Sequence, residues 1–89
     1  MSQGVLEALF GKTRRLILGL LFRQPDEPFY VRKIIRLANV SAGAAQRELK
    51  RLSDARIIVR STQDNHVYFQ ANPACPAYIE LRSLFIGSS

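Results

Sequence analysis

Asn39-Val40-Ser41-Ala42-Gly43-Ala44-Ala45-Gln46-Arg47-Glu48-Leu49-Lys50-Arg51-Leu52 decides how this chain is read. Ser41 suits a helix N-cap, because its hydroxyl accepts from a free backbone N–H of the first turn. Behind it Ala45, Leu49 and Leu52 recur at i, i+4 and i+7, a narrow apolar stripe of the kind that packs on a core. The other faces hold Gln46, Arg47, Lys50 and Arg51, while the leading turn carries only Ala42, Gly43 and Ala44. A helix with so bare a first turn approaches another surface closely. Arg forks onto guanine and Gln onto adenine in a major groove, so these side chains suit base edges and phosphates. Basic residues on a helix face also make an ordinary solvated surface. The neighbouring segments decide between the two.

Upstream, Arg32 to Ala38 has Ile34, Ile35 and Ala38 at i, i+1 and i+4, a short helix that Asn39 ends in a left-handed cap. Val40 supplies an apolar plug, and two or three residues between helices force a tight angle, the geometry of a helix-turn-helix. Phe29-Tyr30-Val31 reads as one brief strand ahead of it. Downstream, Ser53-Asp54-Ala55-Arg56 ends the central helix without the glycine that many chains place there. Ile57 to Thr62 reads as a strand and His66 to Gln70 as its return, with Gln63-Asp64-Asn65 as the hairpin tip. Helix, turn, helix and hairpin in that order define a winged helix-turn-helix.

The flanks are helical. Val5, Leu6, Leu9 and Phe10 make a short amphipathic segment closed by Gly11. Lys12 to Arg23 is apolar almost all round, with Leu16, Ile17, Leu20 and Leu21 on one side and Leu18 and Phe22 widening it. Gly19 in its middle costs about 1 kcal/mol against Ala, which a close helix approach would explain. Gln24-Pro25-Asp26-Glu27-Pro28 is a stiffened loop. After Asn72-Pro73 a last amphipathic helix runs from about 77 to 85, its apolar positions Tyr78, Ile79, Leu81, Leu84 and Phe85 leaving Glu80, Arg82 and Ser83 exposed. The expected fold is therefore α+β and mostly helical, a winged helix-turn-helix with a two-stranded wing, a short third strand, and flanking N- and C-terminal helices. It forms one domain over residues 1–89, with the helix-turn-helix at about 31–55, the wing at about 57–71 and the C-terminal helix at about 76–86.

Composition limits the function. Thirteen Lys and Arg against seven Asp and Glu leave a formal charge of +6, which favours a polyanionic partner: DNA, RNA or an acidic membrane surface. Eighty-nine residues bury a modest core, so oligomerisation would help. One Cys and one His assemble no zinc ligand set, and Cys75 and His66 do not form a nucleophile–base pair by position. Phosphate-cradling glycine loops are missing from the sequence. No catalytic, cofactor or metal residue is therefore expected. The longest apolar run, Leu16 to Phe22, is too short to span a bilayer, and Met1-Ser2-Gln3-Gly4 begins no signal peptide, so the expected location is cytoplasmic.

The DNA-binding candidates follow from the motif. Ala42, Gly43, Gln46 and Arg47, with Ser41 at the helix entry, are placed for base readout, and Lys50 and Arg51 for the backbone. Arg32, with Lys33 and Arg36, lies on the helix that crosses the phosphates, and Arg14 and Arg15 add charge. Arg60 and His66 on the wing strands either meet phosphate or coat an exposed hairpin; Asp64 at the tip argues against deep insertion.

Phe29-Tyr30-Val31-Arg32-Lys33-Ile34, the Val40-Ser41 turn, Gln46 to Leu52 and Tyr68-Phe69-Gln70-Ala71-Asn72-Pro73 resemble small ArsR-like winged-helix transcriptional regulators, over roughly residues 9 to 85. The resemblance implies a homodimer, formed through the N- and C-terminal helices, that sets two recognition helices in successive major grooves of double-stranded DNA. Val5, Leu6, Leu9, Phe10, Leu81, Leu84 and Phe85 would then supply the interface. The cysteine motif of the metal-sensing members is missing, so metal sensing is not implied. A similar winged helix precedes nucleotidyltransferase-like domains. The rival expectation is thus a protein-interaction or dimerisation module without specific DNA readout, including the N-terminal part of such a protein. RNA binding, which would use Tyr30, Tyr68 and Phe69, ranks below both.

Overall fold

The computed structural model describes residues 10–86, which form a small, mostly helical α+β domain of four helices and a three-stranded antiparallel sheet. The expected segment from Val5 to Leu9 lies outside the described residues; Phe10, at its end, packs its ring 6.2 Å from that of Phe85.

Helix α1 (Lys12–Arg23) is the centre of the core, with Ile17, Leu18, Leu21 and Phe22 each at most 1% exposed. Gly19 is buried against the last helix: an added Cβ would meet the Arg23 guanidinium at 3.3 Å and the Phe85 ring at 3.4 Å. The close approach expected at Gly19 is present. After the proline loop comes β1 (Phe29–Tyr30), which pairs Phe29 with Phe69 and Tyr30 with Tyr68. Val31, expected in that strand, instead opens α2 (Val31–Ala38), because the ladder ends after two residues.

Asn39 takes the left-handed conformation, φ 57°, and its N–H and that of Val40 both donate to the Ile35 carbonyl. Two residues later α3 (Ala42–Asp54) begins, with Ser41 Oγ accepting from the Ala44 N–H at 3.3 Å. That cap contributes about 1 kcal/mol. Ala45, Leu49 and Leu52 are buried, as the stripe requires. The end of α3 solves the missing-glycine problem with Arg56, which sits at φ 62°. The Arg56 N–H donates to the Ser53 carbonyl and the Ile57 N–H to the Leu52 carbonyl, both at 3.0 Å, a Schellman closure. Asn72 Nδ2 donates to the Arg56 carbonyl at 2.8 Å, tying the end of α3 to the end of the hairpin.

The hairpin consists of β2 (Ile58–Gln63) and β3 (His66–Ala71), with β3 central in the order β1-β3-β2. Its loop is two residues rather than three: Gln63 pairs with His66, and Asp64 and Asn65 both have positive φ, the mirror-image turn that matches strand twist. Only Ile58 of β2 is buried, so this strand shows almost all of its length to solvent. Helix α4 (Tyr78–Ile86) packs on α1 through Leu81 and Phe85, so these two, expected at a dimer interface, belong to the domain's own core; the Tyr78 ring lies 5.9 Å from Phe22. The apolar face expected of it needs correction: Ile79 is 75% exposed, and Arg82 is half-buried rather than exposed. Ile79 lies two residues before Leu81, about 200° round a helix of about 3.6 residues per turn, so it points away from the face that Leu81 and Phe85 bury.

Candidate nucleic-acid interface

The stripe that buries one side of α3 turns its opposite side outward. Gln46, Arg47, Lys50 and Arg51 are all exposed there, as are Ser41, Ala42 and Gly43 at the leading end. Ser41 has a task of its own, since its hydroxyl caps the helix. Crowding gives Gly43 no reason to be glycine. It lies within the helix, and an added Cβ would meet nothing closer than the Arg47 guanidinium at 3.8 Å.

Two adjoining clefts run between helices α2 and α3 and the sheet. In the first, Gln46, Lys50 and Asp54 from α3 face Arg60 from β2 across a floor of Val31, Leu49, Val67 and Phe69. In the second, Arg32 at the start of α2 and Asn65 and His66 at the hairpin tip flank Tyr30 and Tyr68, whose rings meet edge-on at 6.2 Å. The clefts share Val31 and Val67. The fold thus gathers Gln46, Lys50 and Arg60 in one groove and Arg32 and His66 in the next. Arg47 and Arg51 stand with Lys50 on the outer ledge of α3. Ser41, Ala42 and Gly43 line none of these clefts and form the leading end of the helix instead.

Ion pairs sort the basic residues further. Arg14 is pinned to Glu48 on the flank of α3, Nε–Oε1 2.7 Å with a second contact at 3.5 Å. Lys33 pairs with Glu27 at 3.2 Å and lies over the Phe29 ring. These two, counted from sequence among the cations that add to the basic surface, are engaged within the domain. Lys50 meets Asp54 at 3.0 Å, an exposed pair. Among the described residues no ion pair holds Arg32, Arg36, Arg47, Arg51 or Arg60.

Two features escaped the sequence reading. Asp54, read from sequence only as part of the segment that ends the helix, lines both the groove and the ledge. Its spacing from Lys50 is the only local signal. Phe69 is 6% exposed and belongs to the core, so the aromatic wall of the second cleft is Tyr30 and Tyr68 alone. Cys75 is buried, His66 is exposed at the start of β3, and no cluster of three or more His, Cys, Asp or Glu side chains that could hold a metal occurs among the described residues. No helix among them is long and apolar enough to cross a membrane. No protein-family model, curated protein or solved structure matches the chain.

Proposed function

We propose that this chain is a winged helix-turn-helix regulator of transcription, ArsR-like in kind, that binds double-stranded DNA at specific sequences as a homodimer in the cytoplasm. It works by binding rather than by catalysis. The observation that carries this reading is the outward face of α3. A helix capped by Ser41 and entered through the left-handed Asn39 presents Gln46, Arg47 and Lys50 to solvent beside Arg60 of the neighbouring strand. Gln46 and Arg47 have the donors and acceptors that read adenine and guanine edges. Arg32, Arg36, Arg51 and Arg60 are cations suited to phosphates, which fix register without reading sequence. For the dimer, support comes from Ile79, 75% exposed on α4, a large apolar side chain that a second copy would cover.

Selection from pooled random duplex DNA at about 150 mM salt tests the proposal. An enriched, two-fold symmetric site with half-sites about one helical turn apart is the expected result. Weak, unselective binding that vanishes as salt rises would refute it. The rival reading then takes its place, a protein-interaction module whose contacts would use Leu37 and Ile79, 50% and 75% exposed.

A further inference from the structure

We infer that Asp54 is a specificity-determining residue of this face, a fixed negative charge that lowers affinity for duplex DNA in general and is offset only where a base donates a hydrogen bond to it. The inference rests on the DNA-binding reading above and deepens it.

Its placement is the first ground. Asp54 lines the groove beside Gln46 and Arg60, the ledge beside Arg47 and Arg51, and a third cleft with Arg56 and Asn72. It is the single carboxylate in all three linings, amid five cationic side chains.

The second ground is that folding gives no reason for an acid here. Asp54 is the last residue of α3, where a negative charge opposes the helix dipole. Its bond to Lys50 runs in the weaker order for an i,i+4 pair, with the cation N-terminal to the acid. Both side chains are mostly exposed, 78% and 67%, so water and salt screen the pair.

The chemistry follows from those two grounds. Against any phosphate backbone the carboxylate is repelled, and it competes with phosphate for the Lys50 ammonium. A carboxylate in a major groove accepts from the exocyclic amine of cytosine. Where cytosine stands at the right position, that bond compensates the repulsion; elsewhere nothing does. Discrimination arises by weakening the wrong sites more than the right one.

The test compares wild type with Asp54→Asn and Asp54→Ala, the second because Asn itself reads adenine. Binding is measured on the selected site, on variants of it, and on random duplex, across a salt series. Random-duplex affinity is expected to rise about two- to fivefold, the scale of an exposed pair released. The log–log salt slope steepens by about 0.9, one added phosphate contact, and Lys50→Gln in the same background removes that gain. Preference for cytosine at one position falls about tenfold, and the melting temperature stays level or rises. An unchanged slope and unchanged sequence preference in both variants would overturn the inference while leaving the regulator intact. A lowered melting temperature in both would also overturn it, making Asp54 a folding residue. Wild type that selects no sequence at all removes the DNA reading itself, and this inference with it.

Discussion

Replacing Gly43 with alanine separates what the fold needs from what a partner needs. Glycine inside a helix is less stable than alanine by about 0.5–1 kcal/mol, through backbone entropy alone. Here the position is second in α3, within its first turn, so the lower end applies, about 0.5 kcal/mol. Nothing offsets that gain. No positive φ occurs at any described glycine, and the new methyl would touch only the Arg47 guanidinium at an ordinary 3.8 Å. Gly43→Ala should therefore raise stability by about 0.5 kcal/mol and the melting temperature by about 2–4 °C for a domain this small. If this turn lies close against DNA, the same methyl intrudes there and weakens binding by about 1–3 kcal/mol, the usual cost of overfilling a packed contact. Denaturant unfolding followed by fluorescence anisotropy on the selected site measures both. Opposite signs are the expected result. Affinity unchanged alongside the stability gain would refute close approach at this turn, and reduced stability would refute the backbone argument itself.

Arg56→Gly should stabilise the domain by about 1 kcal/mol, since it relieves a left-handed side-chain-bearing residue while keeping the backbone carbonyl that Asn72 bonds; the urea midpoint should rise with its slope unchanged. Asn72→Ala removes that bond and the one Asn72 Oδ1 accepts from the Ala74 N–H at 2.9 Å, and should lower stability by about 1–2 kcal/mol in the same assay. Glu48→Gln leaves the Arg14 guanidinium part-buried without its carboxylate, and should lower the melting temperature while leaving the salt slope of DNA binding unchanged.

Much of the fold was legible because the deciding signals are local. Ser41 caps, Asn39 turns left-handed, and the Ala45-Leu49-Leu52 stripe is buried. The bounds of α1 follow from its nearly continuous apolar run. What failed depends on partners distant in sequence. Val31 left the strand because β3 offers β1 only Tyr68 and Phe69. Arg56 stands where glycine usually does because hydrogen bonds on both sides, from its own N–H to Ser53 and from Asn72 to its carbonyl, hold it there. Ile79 was assigned to the apolar face by composition, whereas its angular position puts it opposite Leu81. On the candidate surface, residue types were readable and neighbourhoods were not. Nothing in the sequence brings Arg60 to Gln46 or Glu48 to Arg14.

That last pairing bears on why the basic residues of this chain are not equivalent. Glu48 and Glu27 engage Arg14 and Lys33 at part-buried positions, where a cation serves packing as much as charge. Of the arginines outside such pairs, Arg32, Arg36, Arg47, Arg51 and Arg60 lie on α2, α3 and the adjoining strand, all exposed. The guanidinium at each of these positions is a planar fork suited to paired contacts with phosphate or a base edge. These forks and the uncrowded Gly43 at the head of α3 fit the proposed contact with a rigid polyanion. Asp54, the carboxylate that lines both the groove and the ledge, is on that proposal the residue best placed to make the contact selective.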